Sequence, residues 1–442
     1  MKSRFVYWFA VGLLVLAQFQ DHRWKTQEVF DWDAGGYFSY LPATFLYHDS
    51  GRVDSLAHLV QLHLPPGHAP HGQLDALGIR RLPNGRFLTK YSLGMAVGEL
   101  PWFGGAHLFA HLHGDALNGF SRPYQQAVML AGLAYACLGL WVLRQLLRRY
   151  YPDEVVAWTL AGIALATNFF VYATYEAAAA HAVLFLWQAS LLTCTAAWYA
   201  TPRWRWAAGI GLFWGLAVLV RPTEALYALV PLAWGLHQPA AWRLRLALWG
   251  RHWRQLVLAT GVAVGVLSLQ LIFWRVVAGH WVMDGYVTEH FDFAHPHVLE
   301  GLFSFRKGWL LYSPLLVMVL LFGLPRLARF VPMAVPVIWL LLPAVLYLTF
   351  SWEQWWYGGG FGARPLISLY PLLALPLGAW LASARRPPLA VAVRALLLLC
   401  LALNLWQTWQ YAGGVLQGDG TTAELYRQRF FWRKFPAPEI PW

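Results

Sequence analysis

Apolar residues run through this chain in blocks too long for buried strands and too continuous for the one-sided helices of a soluble core. The blocks near 5–19, 124–147, 155–175, 182–199, 256–278, 331–350 and 389–405 each approach the roughly 20 residues that a helix needs to cross hydrocarbon. They predict an all-α polytopic membrane protein. Two shorter blocks, 207–220 and 226–236, are split by Arg221-Pro222. Proline removes a donor and clashes with the preceding turn, so this pair is expected to form a hairpin that does not fully cross. The stretch 92–112 is only moderately apolar and contains Pro101, Gly104, Gly105, His107 and His111. It is expected to lie along the outer membrane surface.

Arginine supplies the orientation, because short cytoplasmic loops collect basic residues. The clusters are Lys2 and Arg4; Arg144, Arg148 and Arg149; Arg203 and Arg205; Arg243, Arg245, Arg251 and Arg254; Arg326 and Arg329; and Arg385 and Arg386. Placing all of them on one side gives about eleven spans, a cytoplasmic N-terminus and an outward-facing C-terminus. The outward side then holds a first loop over 20–123, a second over 279–308, a short one over 351–363 and a tail over 408–442. No fixed-period repeat interrupts the pattern, so 1–442 is expected to be a single transmembrane domain of the cytoplasmic membrane, its polar loops facing the periplasm or exterior.

Composition agrees. Of 442 residues 58% are hydrophobic and only 12% charged, and the mean hydropathy is +0.44, against roughly 25% charged in a soluble domain. The net charge of +12 would ordinarily raise nucleic acid as a partner, but the arginines lie in loops between spans, so no nucleic-acid binding is expected. Met1-Lys2-Ser3-Arg4 resembles the start of a signal peptide. No small-x-small cleavage site precedes Gln20, and the first block is expected to stay as a span. Cys137, Cys194 and Cys400 lie inside apolar blocks, where a disulfide framework has no loop to staple.

The polar residues that could carry chemistry collect on the outward side. The first loop contains Asp31-Trp32-Asp33-Ala34-Gly35-Gly36-Tyr37, two carboxylates one residue apart beside glycines that let a substrate approach the backbone. Either carboxylate could act as a general base on an acceptor hydroxyl, the pair could share a divalent cation, or one could simply cap a helix. Lys90 in Thr89-Lys90-Tyr91 could meet a lipid phosphate or act as an interfacial anchor. Glu176 and His181 flank a return into the membrane, where ionisable groups are costly and functional or paired. Arg364 follows Gly358-Gly359-Gly360-Phe361-Gly362-Ala363 at the head of a span, well placed to fork a phosphate. Arg221 sits at the break in apolar sequence and needs a partner or an anionic headgroup. The loop from Gly279 holds His280, Asp284, Glu289, His290, Asp292, His295 and His297, but their spacing matches no zinc signature. His58, His63, His68 and His71 read as a solvated loop.

Several of these pieces, in this order, resemble one family: the GT-C membrane glycosyltransferases that use polyprenyl-phosphate sugars, including the protein O-mannosyltransferases and the lipid A aminoarabinose transferases. The resemblance rests on Asp33-Ala34-Gly35-Gly36-Tyr37, Lys90 with Pro101 downstream, Glu176 with His181, Val220-Arg221-Pro222-Thr223, Phe305-Arg306-Lys307-Gly308-Trp309 through Pro314, and Gly360-Phe361-Gly362-Ala363-Arg364. It implies a GT-C-like bundle with juxtamembrane helices in the first loop. It also implies a polyprenyl-phosphate-linked sugar as donor and a lipid or glycan of the cell envelope as acceptor. On that basis Asp33, or alternatively Asp31, is the expected base. Lys90, Arg364 and Arg221 would hold the donor phosphate, and Tyr37, Glu176, His181, Arg306 and Lys307 the rest of the substrates. Direct displacement would invert the anomeric carbon. No nucleotide-sugar site is expected; a divalent cation is admitted and its ligands are unassigned. Two other readings stay open: a transporter or flippase of a lipid-linked intermediate, whose path the same intramembrane charges could line, and an inactive member that assembles with a partner enzyme.

Overall fold

The structure, a computed structural model, describes residues 1–21, 23–26, 29–30, 32–48, 51, 78–238, 240–286 and 289–432. Asp31 and the histidines at 58, 63, 68 and 71 lie outside the described residues. What is described is predominantly helical, and six helices are long and apolar enough to cross a membrane: Arg122–Leu147, His181–Ala200, Trp253–Ala278, Pro332–Phe350, Arg364–Ser383 and Pro387–Ala412. The other apolar blocks counted among the eleven expected spans form helices that are shorter, interrupted or less apolar. The block near 155–175 divides into Asp153–Leu165 and Phe169–Ala173. Trp309–Tyr312 and Leu315–Met318 are separated at Ser313-Pro314, where proline cannot continue the hydrogen-bond ladder.

Neighbouring helices approach closely where a glycine leaves room. Arg122–Leu147 packs on His181–Ala200, which packs on Trp204–Val220, which in turn lies against Trp253–Ala278. A Cβ at Gly211 would overlap the Ala259 carbonyl oxygen, and one at Gly132 would overlap that of Ala177. In a bilayer, where lipid tails are as apolar as leucine, such close approach supplies much of the association energy. Gly211→Val is therefore expected to separate Trp204–Val220 from Trp253–Ala278 and to lower the thermal midpoint of the detergent-solubilised protein by several degrees, roughly the effect of the 1–3 kcal/mol cost of overpacking. An unchanged midpoint would show that this crossing is not tight.

The break at Arg221-Pro222 is where the sequence placed it. Trp204–Val220 ends there, and a 3₁₀ turn over Pro222–Ala228 and a short helix over Leu229–Ala233 follow. The stretch from 92 to 112 forms a continuous helix, Gly94–His113, with Pro101 inside it, and it is not one of the six long apolar helices. Its Gly94 lies against the backbone of Leu219 and Val220, which ties the first loop to the break.

Among the described residues, a short hairpin departs from an all-α chain. Ile79–Arg81 and Phe87–Thr89 pair as an antiparallel hairpin around Leu82-Pro83-Asn84-Gly85, with Gly85 in the left-handed region at φ 79°. The hairpin is pinned to the end of Trp253–Ala278: Asn84 Nδ2 donates to the Val277 carbonyl at 3.0 Å, and Leu82, Leu88 and Val277 form a small core. It delivers Lys90 and Tyr91 to the same region as the short helix Trp32–Phe38.

Candidate functional site

Asp33 lies in the first turn of Trp32–Phe38, where a helix favours negative charge. Its Oδ1 accepts a hydrogen bond from the Tyr91 hydroxyl at 2.6 Å, and its Oδ2 lies 2.9 Å from Arg364 Nη2. The side chain keeps 34% of its exposure and that of Arg364 19%, so the pair is accessible without being fully solvated. Burial pushes the Asp33 carboxyl up, but the Arg364 guanidinium, the Tyr91 hydrogen bond and the more distant charges of Lys90 and Arg221 together outweigh it and hold the group below the usual carboxylate range. Asp33 is thus ionised at neutral pH.

Arg364 is aimed by the glycine loop that precedes it. Gly358, Gly360 and Gly362 have φ of 65°, 142° and 62°, conformations that side chains rarely adopt. A Cβ at Gly360 would fall 2.5 Å from the Tyr172 hydroxyl, and that hydroxyl accepts from the Phe361 amide at 2.8 Å. Trp32 and Tyr357, one beside Asp33 and one opening the glycine loop, also hold left-handed φ, 44° and 56°. Such strain in non-glycine residues concentrates where the surroundings fix a working geometry.

Arg221 enters from the helix break. Its Nη2 is 3.4 Å from His181 Nδ1 and its Nη1 3.4 Å from the Pro365 carbonyl, which joins it to the residue after Arg364. Behind it, Glu224 Oε1 lies 3.7 Å away, and Glu224 in turn accepts from Gln188 Nε2 at 2.8 Å. His181 meets Tyr172 edge-on at 4.7 Å. On the other flank the Tyr37 ring packs 4.7 Å from Tyr91. Asp33, Tyr37, Arg221, His181 and Arg364, spread over more than three hundred positions of sequence, therefore come together, with Tyr91 and Tyr172 between them.

The remaining residues of interest have partners that the sequence did not reveal. Lys90 Nζ is 3.0 Å from Glu289 Oε1 and sits near the rings of Tyr91 and Tyr286 at 5.5 and 5.2 Å. Glu176 is held by Arg23 at 3.3 Å and by the Tyr411 hydroxyl at 3.0 Å, and Arg23 also grips Asp21. Arg306 forks Asp419 at 2.7 and 3.1 Å and lies 3.7 Å over the Trp356 ring. Lys307 is buried; its amine donates to the Gly360 carbonyl at 2.7 Å and to that of Gly418. Burial first, and the nearby Arg364 second, bring the Lys307 amine down to about 7.

Lys307 thereby staples the C-terminal segment to the glycine loop, whose Gly360 amide also donates to the Gly418 carbonyl at 2.9 Å. Lys307→Met would leave the Gly360 carbonyl without its buried donor and the Gly418 carbonyl with the Gly360 amide alone, at about 1–3 kcal/mol for the group left unsatisfied. Faster amide exchange over 413–432 and over 358–362 is the expected result by hydrogen–deuterium exchange mass spectrometry; unaltered protection would show that the staple is dispensable.

In the loop over 279–308 His295 Nδ1 lies 2.9 Å from Asp292, and His290 Nδ1 lies 3.3 Å from Glu353. Among the described residues no three His, Cys, Asp or Glu side chains gather as a metal site.

No protein-family model matches this chain, and no curated protein matches it in sequence. Among solved structures it is similar to the crystal structure of ArnT from Cupriavidus metallidurans in the apo state, at 15% identity and a TM-score of 0.48, over 92% of this chain and 64% of that one. This chain spans less than two thirds of the length of that protein.

Proposed function

We propose that this protein is a membrane glycosyltransferase that moves a sugar from a polyprenyl-phosphate donor to a lipid or glycan acceptor on the outward side of the cytoplasmic membrane. The observation that carries the reading is the ionised Asp33 held between the Tyr91 hydroxyl at 2.6 Å and the Arg364 guanidinium at 2.9 Å, with Arg221 and His181 beside it. A base next to cations, at the ends of apolar helices, suits an acceptor hydroxyl attacking a sugar whose leaving group is a lipid phosphate.

In this scheme the acceptor oxygen forms a bond to the anomeric carbon as the bond from that carbon to the phosphate oxygen breaks. Asp33 takes the acceptor proton, and the bonding electrons leave on the phosphate. Arg364, Arg221 and Lys90 stabilise the charge that develops there, which is where fixed electrostatics contributes most. Backside attack inverts the anomeric carbon. Asp31 is the alternative base. Tyr37 and His181 face the reacting groups, while Glu176, Arg306 and Lys307 hold the walls on which the substrates rest.

The test uses the full-length protein reconstituted in vesicles with a radiolabelled polyprenyl-phosphate sugar and a cell-envelope extract as acceptor. Formation of a new glycoside with inverted anomeric configuration supports the proposal. Movement of the labelled lipid between leaflets with no glycoside formed would overturn it in favour of transport. Comparison of envelope glycans and lipids with and without the gene, by mass spectrometry, then identifies the sugar and acceptor.

A further inference from the structure

The helix Ala241–Arg251 is built the wrong way round for water. The only buried residue among its eleven is an arginine, Arg245, whereas Trp242, Leu244 and Leu246 stand 53%, 73% and 56% exposed. Arg245 accounts for the inward face. Its guanidinium lies 4.2 Å over the Tyr199 ring and 5.4 Å over that of Trp249, and it donates to the carbonyls of Leu232, at 2.9 Å, and Trp234. It thus closes the C-terminal end of the short helix that follows the Arg221 break, where carbonyls lack donors and a cation is favoured. Anchored by this arginine, the helix has to present its leucines outward.

Its position follows from the helices around it. His181–Ala200 and Trp204–Val220 run between the candidate site, at His181 and Arg221, and the opposite end of the bundle, and 17 residues of helix make about 25 Å. Tyr199 meets Arg245 at that far end, and Trp253–Ala278 starts there, with Trp198 Nε1 bonded to Gln255 at 2.8 Å. The helix therefore lies where long apolar helices enter the headgroup layer. Large apolar side chains left against water are unfavourable, so this face needs a cover.

Charge identifies the cover. From Ala177 to Met283 the sequence contains one acidic residue, Glu224, and it is beside Arg221 at the other end. Arg243, Arg251 and Arg254 are exposed and form no ion pair among the described residues. Arg243 and Arg254 lie 5.3 and 5.6 Å over the rings of Trp242 and Trp253, the pairing of cation and interfacial tryptophan that suits a headgroup layer. Apolar side chains and unneutralised arginines alternating on one exposed helix match acyl chains below and anionic phosphates above.

We infer that Ala241–Arg251, together with the first turn of Trp253–Ala278, is a docking surface for acidic phospholipid in the leaflet opposite the candidate site. Leu244, Leu246 and Trp242 seat in the acyl boundary, and Arg243, Arg251 and Arg254 bind the headgroup phosphates. The inference does not depend on the reaction proposed above.

The test reconstitutes the delipidated full-length protein into nanodiscs of phosphatidylcholine mixed with phosphatidylglycerol and counts retained phosphatidylglycerol by native mass spectrometry after extraction. With roughly fivefold per basic residue near a charged surface, the Arg243→Gln/Arg251→Gln/Arg254→Gln variant is expected to lose retention on the order of a hundredfold. The corresponding triple lysine variant is expected to keep most of it, since a point charge suffices for a headgroup layer, and it serves as the folding control. Equal retention by the glutamine variant and the parent would overturn the inference. So would equal thermal protection by inorganic phosphate, which would indicate a free-anion site, or dimers in the parent that a Leu244→Glu change turns into monomers, which would assign the face to a second copy of the chain.

Discussion

Asp33→Asn is expected to reduce glycosyl transfer by about 10²–10⁴-fold, the range that a positioned general base contributes, with the protein still folded. Asparagine keeps an oxygen to accept from Tyr91 but cannot take the acceptor proton. It also releases Arg364 from its 2.9 Å ion pair, so donor affinity is expected to hold or tighten while turnover falls. That split separates loss of a base from loss of a fold, in which binding and turnover would fall together. Normal turnover in the asparagine variant, measured with a polyprenyl-phosphate sugar, would remove Asp33 from the mechanism and leave Asp31 as the carboxylate to test.

Arg364→Gln has the second largest expected effect, about 10²–10³ in kcat, by analogy with removing one electrostatic donor from a developing charge. It carries a second signature in pH. In the parent, the acid limb of the rate profile is expected to report protonation of Asp33 and to lie below the usual carboxylate range, because Arg364 is the first of the groups that oppose burial. Without that charge the burial contribution is less opposed, and the limb moves to higher pH. For stability the sign is the same as for any carboxylate with a depressed folded value. The Asp33 contribution is present above its unfolded value and is lost as pH falls through the folded one; in Arg364→Gln this contribution shrinks. A variant whose acid limb stays in place would show that Arg364 does not govern the base.

The sequence carried the helical membrane character, the break at Arg221-Pro222 and the residues that converge on Asp33, because each of these is a local matter of apolar length, proline chemistry or an ionisable group in an apolar setting. It did not carry the partners. Lys90 pairs with Glu289 across 199 positions and Asp33 with Tyr91 across 58, and no local pattern encodes such distances. Glu289 was one acid in a loop rich in histidine. The hairpin over 79–89 did leave a signal, the Asn84-Gly85 turn dipeptide, but its strands of three residues are too short for alternation to show. Span counting is ambiguous for a similar reason. Hydropathy registers an apolar block whether it forms one helix or is broken at Ser313-Pro314. Lys307 shows the converse: the resemblance of Phe305-Arg306-Lys307-Gly308 implies a ligand for substrate, whereas the Lys307 amine donates to the carbonyls of Gly360 and Gly418.

The ion pair between Asp33 and Arg364 has a kinetic meaning under the proposed reaction. A carboxylate neutralised by a guanidinium is a weak proton acceptor, so an acceptor alcohol or a water molecule that arrives first finds the base quenched. A lipid phosphate competes for the same guanidinium, and by drawing it away it raises the basicity of Asp33 only when the sugar is already present. The pair therefore imposes an order of addition, donor before acceptor, and protects the activated sugar from being wasted on solvent.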